Sequence, residues 1–405
     1  MKTTDCQRDG GAVGEGESAG FGRLARILAD ESWRQREFPI ARRKVYLAHA
    51  GVCPLPFRVQ EAIRRYADEA SSGDQEAVVS ERFLQETREV AAAFLGSTPE
   101  EIAWVGPTSS ALSVVAGGLL WKAGESVVVY YDDYPTAVYP WMAMAERGVE
   151  VRRVMPRQWG QIEVEDVLAR VDASTRLVAL ASCHYVSGWR LDHVALGRAL
   201  RARGVGFCLD AIQTLGAFPI EAGSVDYLAA DAHKWLLGPC GAGILHVRRE
   251  CQEALRPSAW GWHSIECPNF ITQPELVWRR DARRYEPGTA NLLGLVGLRA
   301  ALDLLGEIGM EAIGAELLRK RAWLVPELEA RGYRVANAAA APGRASAILS
   351  LDRPGTDMAR VYERLARSGV VTSLRADRAG KPYVRLSPHF YNTDAELRHM
   401  LAHLD

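Results

Sequence analysis

From residue 46 to about residue 247, short apolar runs alternate with amphipathic stretches. The runs at 176–181, 205–209 and 225–229, and the strands that open the stretches 102–116 and 125–141, are mostly apolar. Strands that read this way are covered on both faces, as in a parallel sheet flanked by helices. The repeated order of strand, loop and helix therefore predicts an α/β fold built on a mostly parallel sheet.

Outside that block the period changes. Leu24, Ile27, Leu28 and Trp33 recur at helical spacing and predict one amphipathic helix over 21–36. A Gly/Pro-punctuated loop, Tyr46-Leu-Ala-His-Ala-Gly-Val-Cys-Pro-Leu-Pro56, leads into a helix with Val59, Ile63 and Tyr66 on one face. Tyr285-Glu-Pro-Gly-Thr-Ala-Asn291 breaks the chain before a helical pattern over 292–329. The remainder alternates in an α+β manner, with strands at 347–351, 370–374 and 383–386 and helices at 357–368 and 394–404. The expected organisation is a disordered tail (1–20), an N-terminal helix packing with the small domain (21–45), a large domain (46–290) and a small C-terminal domain (291–405).

Composition changes the picture mainly by exclusion. A chain of 405 residues exceeds one hydrophobic core, in keeping with two domains. Its 49 Lys plus Arg balance 50 Asp plus Glu, so no net field favours nucleic acid or an anionic membrane, and a small-molecule substrate is expected. The seven cysteines, at 6, 53, 183, 208, 240, 251 and 267, form no CxxC pair, which argues against a metal site or a disulfide framework. No run approaches the ~18 apolar residues of a membrane span, and the first twenty residues lack the apolar centre of a signal peptide. A reduced cytoplasm is the expected location.

Candidate chemistry gathers where the apolar runs end. Asp210 and Gln213 follow one run, and Asp231, His233 and Lys234 follow the next. Ligands of parallel α/β sheets bind at the carboxyl ends of strands, so a carboxylate and a lysine one crossover apart are expected to face one crevice. Pyridoxal 5'-phosphate (PLP) requires that pair: an amine for a Schiff base with its aldehyde, and a carboxylate to keep the pyridine nitrogen protonated. Thr108, Ser109 and Ser110 open a helix after a strand, where free backbone N–H groups and the helix dipole make an anion site.

Through Asp210-x-x-Gln213 and Asp231-Ala-His-Lys-Trp-Leu-Leu-Gly238 the sequence resembles the fold type I PLP-dependent enzymes of the class V aminotransferase group, which includes cysteine desulfurases, kynureninases and isopenicillin N epimerase. The resemblance spans residues 46 to 394. It implies a large domain with a seven-stranded-type, mostly parallel sheet plus a small α+β domain. It also implies that Lys234 carries the Schiff base, Asp210 pairs with the pyridinium nitrogen, and Gln213 bonds the phenolic oxygen, with His233 also among the cofactor contacts. Thr108, Ser109 and Ser110 stand where relatives grip the phosphate, usually with Thr-Thr-Glu. Tyr134, in a Tyr-Pro step like the Phe-Pro of kynureninase and epimerase members, would stack on the ring. His184 or Tyr185 takes the place of an Asn or Gln near the phenolic oxygen. Thr289, in the Glu-Pro-Gly-Thr loop, would reach the partner's phosphate in a homodimer with shared active sites. His49 and Gly51 are substrate-side candidates. Arg385, in Arg-x-Ser-Pro-His-Phe-Tyr-Asn-Thr393, would clamp the substrate carboxylate, since a guanidinium fork grips a carboxylate bidentately.

Two departures bear on the reaction. Cysteine desulfurases carry a nucleophilic cysteine in the loop before the clamp, and residues 368–384 contain none. Asp231 stands where desulfurases place a phosphate-contacting Ser. With Trp260, Trp262, His263 and Trp278 on the stretch that lines the substrate entrance in relatives, these features point to a C–S or β-lyase, or an epimerase, acting on a bulky amino acid or S-conjugate of specialised metabolism, and not to a persulfide-forming cysteine desulfurase. A class V aminotransferase is the alternative, followed by a Cα decarboxylase, and a PLP-binding scaffold is the non-enzyme reading.

Overall fold

The structure, a computed structural model, describes residues 13–404. After a two-residue strand β1 (Val45–Tyr46) the chain lays down β2 (Ile102–Val105), β3 (Ser126–Val129), β4 (Glu150–Arg153), β5 (Thr175–Ala181), β6 (Gly206–Asp210), β7 (Tyr227–Asp231) and β8 (Gly243–Val247). The last seven form one sheet in the order β2-β8-β7-β6-β5-β3-β4. Neighbours run parallel from β7 through β6, β5 and β3 to β4, while β8 is antiparallel to both β7 and β2. The expected α/β fold with a mostly parallel seven-stranded sheet is therefore present.

The unbroken apolar runs are explained by double burial. Val128, Val178, Leu180, Leu209 and Leu228 enter one core, and Val127, Val129, Leu177, Ala179, Cys208, Tyr227 and Ala229 enter the core on the opposite face. Alternate residues thus go to opposite sides, and both sides are apolar. At the carboxyl ends of β6 and β7 the last residues are acids, Asp210 and Asp231. Register brings those stops level: Ala181 pairs with Asp210, Asp210 with Ala229, and Asp231 with Gly243.

The second domain is a four-stranded antiparallel sheet, β12-β13-β10-β9, made of β9 (Arg334–Val335), β10 (Leu349–Asp352), β12 (Ser373–Ala376) and β13 (Pro382–Leu386), while β11 (Val370–Val371) pairs in parallel with β1. The boundary with the large domain falls differently from the sequence reading at both joints. Leu47, assigned to the large domain, lies in the small-domain core beside Val370, Val384 and Leu386. The helix Leu292–Ile308, assigned to the small domain, sends Leu295, Leu298, Leu302 and Leu305 into the large core. The helical pattern over 292–329 is two helices, Leu292–Ile308 and Met310–Ala330, because Gly309 turns the chain at φ 91°.

The helix expected over 21–36 is also two, Val13–Ala29 and Glu31–Glu37, divided where Asp30 caps the second by accepting from the Trp33 N–H at 2.9 Å. The tail expected over 1–20 lies outside the described residues up to residue 12, and the helix begins inside it. Among the described residues no helix is long and apolar enough to cross a membrane.

Candidate active site

Asp210 is the last residue of β6, so its side chain emerges at the carboxyl edge of the sheet with almost no water contact (4% exposed). Its Oδ1 accepts the Ile212 N–H at 3.0 Å. Burial raises its carboxyl pKa to about 6, against the opposing pull of that N–H and of Lys234. Gln213 is fixed at both ends: Oε1 accepts from Trp235 Nε1 at 3.0 Å, and Nε2 donates to the Ala50 carbonyl at 3.1 Å. One of its two amide hydrogens stays free for another acceptor.

Lys234 follows β7 and is 7% exposed. Its Nζ stands 5.4 Å from the centre of the Tyr134 ring. Burial depresses its pKa to about 8; Asp210 resists, and the positive charges of Arg385 and Arg375 add to the depression. Tyr134 meets Tyr185 edge to face, with ring centres 5.4 Å apart.

The loop that carries Lys234 is built around Asp231. Its Oδ1 accepts from the N–H groups of Ala232 and Ala242 (2.7 and 3.1 Å), and its Oδ2 from Gly241 N–H and His233 Nδ1 (3.1 and 2.7 Å). The carboxylate is thus spent on the Gly241–Ala242 backbone and on His233, which resolves its departure from the relatives' Ser. The Asp231 N–H in turn donates to Thr108 Oγ1 at 3.0 Å, tying β7 to the start of the helix Thr108–Gly118. At that start the N–H groups of Ser110 and Ala111 turn back to the Pro107 carbonyl. Those of Thr108 and Ser109 are first-turn donors with no intrahelical acceptor. Ser109 Oγ bonds Thr136 Oγ1 at 2.8 Å.

The small domain supplies Arg385. It is 1% exposed; Nη1 donates to the Tyr185 carbonyl at 2.6 Å, Nη2 reaches Ser373 Oγ at 3.5 Å, and Nε has no partner among the described residues. Burial first, then the nearby Arg375, pulls its pKa down to about 9. Gly51 lies against it: a Cβ there would come within 3.6 Å of Arg385 Nη2 and 3.1 Å of the Ala48 carbonyl. His49 is fully buried, with Nδ1 on the Ser387 carbonyl (3.0 Å) and Nε2 on the Tyr391 hydroxyl (2.8 Å). Burial lowers its pKa to about 4, so it is a neutral bridge between the loop and the small domain.

Other sequence candidates fall differently. His184 is buried with both nitrogens engaged: Nε2 bonds the Asp132 carbonyl at 2.9 Å, and Nδ1 accepts the Ser187 N–H at 3.0 Å. Tyr185 faces Tyr134 and so sits nearer the chemistry. Thr289 is exposed, its hydroxyl on Glu76 at 2.8 Å. With Trp262, His263, Phe270 and Glu286 it lines a groove of about 610 Å³ that includes neither Lys234 nor Arg385. Two charged residues were not singled out from the sequence. Asp133, one residue before Tyr134, is buried, accepts the Tyr134 N–H at 2.7 Å, and has its carboxyl pKa raised by burial to about 8. Arg375 lies in the hairpin before Arg385. For Asp133 the available signal was its place beside Tyr134 after β3; for Arg375 it was the hairpin register.

These donors fit pyridoxal phosphate. A buried amine, a buried carboxyl, an aromatic face within reach of the amine and a helix start with free N–H groups meet at one sheet edge. A guanidinium with an unpaired Nε closes the crevice from the other domain.

The aminotransferase class-V family profile matches residues 45–400. A probable cysteine desulfurase of Methanothermobacter thermautotrophicus is 31% identical over 69% of this chain and 71% of its own length. An uncharacterized aminotransferase of Bacillus subtilis is 30% identical over 92% of this chain and 96% of its own. Among solved structures, the apo cysteine desulfurase of Thermococcus onnurineus superposes with a TM-score of 0.83 at 21% identity, covering 92% of this chain and 96% of that one. The cystine C–S lyase C-DES, in complex with its product cysteine persulfide, gives 0.82 at 22% identity, covering 91% and 98%.

The relatives named cysteine desulfurases overturn the expectation that the chain is a lyase or epimerase set apart from persulfide-forming desulfurases. The physical reason is that a missing thiol in residues 368–384 says only where sulfur is not held. With the family profile spanning nearly all of both domains, the chain belongs to the aminotransferase class-V family.

Proposed function

We propose that this protein is a PLP-dependent enzyme that acts on free α-amino acids, with transamination as its reaction. The observation that carries the reading is Arg385, a guanidinium buried to 1% that, among the described residues, has no carboxylate partner and an unpaired Nε, placed across the crevice from a buried lysine. A buried cation left unpaired is costly, and a ligand carboxylate removes the cost. The family profile supports the same chemistry.

When bound, the cofactor supplies an aldehyde for the amine and an electron sink for the carbanion. Lys234 would hold the cofactor through its aldehyde and, when freed, would move the substrate's Cα proton as general base and acid. Asp210 would hold the proton of the pyridine nitrogen. The free hydrogen of Gln213 Nε2 would serve the phenolic oxygen, and Tyr134 would offer its face to the ring. Thr108, Ser109 and Ser110 would receive the phosphate at the helix start, His233, held by Asp231, would border it, and Tyr185 or His184 would close the ring's edge. Arg385 takes the substrate carboxylate, with Gly51 leaving room beside it and His49 holding the loop that presents Gly51. Thr289 and the aromatic groove around it serve a second copy in a homodimer, and the cytoplasm is the proposed location.

The names of the relatives favour one second reading, cysteine desulfuration. Both are tested by incubating the holoprotein with single amino acids. Transamination gives one equivalent of keto acid per site and stops until an acceptor keto acid is added. Desulfuration gives alanine and sulfide from cysteine with a thiol reductant and needs no acceptor. Turnover of simple amines without a carboxylate at equal rates would remove Arg385 from its role.

A further inference from the structure

The antiparallel register of β12 and β13 sets Ser373 opposite Arg385 and Arg375 opposite Tyr383. Alternation then places Ser373, Arg375, Tyr383 and Arg385 on one face of the small sheet. That face looks into the crevice. Arg385 bonds the Tyr185 carbonyl, and the Tyr383 ring stacks on Trp159 with centres 5.6 Å apart and planes at 12°. Arg375 is half-buried, and its one hydrogen bond goes to the adjacent Leu374 carbonyl at 2.9 Å. Among the described residues no carboxylate forms an ion pair with it. Its charge is nevertheless felt at Lys234 and at Arg385.

The neighbouring arginine of the same hairpin shows what a provided-for cation looks like. Arg378 pairs with Asp132 at 3.2 Å, donates to the Tyr131 carbonyl and lies 4.1 Å from the Tyr131 ring centre. Arg375 has no such provision. Of the acids near this face, Asp210 accepts the Ile212 N–H, burial holds Asp133 largely protonated at neutral pH, Asp132 pairs with Arg378, and Asp377 accepts the Tyr383 hydroxyl; among the described residues none is paired with Arg375 or Arg385. Two guanidinium groups on one sheet face therefore lack a counter-charge, and a monocarboxylate supplies one.

We propose that Arg375 and Arg385 together form a two-cation subsite that selects α-amino acids carrying a second anionic group on the side chain. The proposal rests on the reading that Arg385 takes the α-carboxylate. Arg375, one strand over and two residues along, takes the side-chain acid, so dicarboxylic amino acids are preferred over their amides and over alanine.

The test uses holoprotein and two readouts besides turnover: the cofactor absorbance change on adding aspartate, glutamate, asparagine, glutamine or alanine, and the calorimetric binding of the unreactive pair succinate and propionate. Wild type should bind at least one dicarboxylic amino acid about 10- to 100-fold more tightly than its amide, and succinate more tightly than propionate by a similar ratio. Arg375→Ala should weaken the dicarboxylic ligands by about that factor more than it weakens alanine, with Arg375→Lys recovering part of the preference. A wild type that favours amides or alanine overturns the proposal, as does an Arg375→Ala loss equal for every ligand. Arg385→Ala separates the two readings: alanine binding that survives this change defeats the α-carboxylate assignment itself, whereas loss for all amino acids upholds it.

Discussion

The depressed pKa of Lys234 makes a kinetic prediction for the protein stripped of cofactor. Capture of an aldehyde requires the neutral amine, and burial lowers the lysine from 10.5 to about 8. The neutral fraction at pH 7 is then roughly one-tenth, against roughly one in three thousand for an unperturbed lysine, a gain of about 300-fold from 2.5 pKa units. The sign follows from the shift: the reactive form grows as pH rises and saturates above the folded pKa. The second-order rate of PLP uptake, followed by the visible band, should rise about tenfold from pH 6 to pH 7, bend near 8 and be flat by 9. Neighbouring charges fix two further signs. Asp210 holds the lysine pKa up, so Asp210→Asn should move the bend to lower pH; Arg375 pushes it down, so Arg375→Ala should move the bend to higher pH. A rate that climbs without bending through pH 9.5, or two variants that shift the bend the same way, would refute the account.

Two predictions concern what holds the site in place. Asp231→Ala strands four donors in a buried loop, the N–H groups of Ala232, Gly241 and Ala242 and Nδ1 of His233; stability by denaturant unfolding should fall by on the order of 3 kcal/mol, with Asp231→Asn losing less. Glu286 accepts from Arg88 Nη1 and Nη2 at 2.6 and 3.2 Å and from the Trp104 N–H at 2.8 Å, all buried; Glu286→Ala should cost about 3–5 kcal/mol by leaving Arg88 uncompensated, and replacing Arg88 by Leu in that background should return part of it in a double-mutant cycle.

What could be read from the sequence depended on whether the deciding physics was local. Parallel strands buried on both faces leave unbroken apolar runs, and the first polar residues after them mark the crevice, so Asp210 and Lys234 stood out. The direction of β8 did not: Gly243–Val247 is buried throughout, and an apolar run has no mark of whether it runs with or against its neighbours. The joints between domains were misplaced for a related reason. The apolar face of Leu292–Ile308 says that it packs, and only the fold says against which core. Asp133 looked like one of two acids in a loop, since a carboxyl held protonated differs from a solvated one by its surroundings and not by its letter. Asp231 looked like a threat to a phosphate until four donors were found around it. Arg375 is the clearest case. Its distance from Arg385 in sequence is that of any two residues across a hairpin, and its meaning comes from register, from the missing carboxylate, and from a lysine delivered by a different domain. Charge balance in a crevice is a sum over strands far apart in the chain, so an excess of cations becomes visible only once they are brought together.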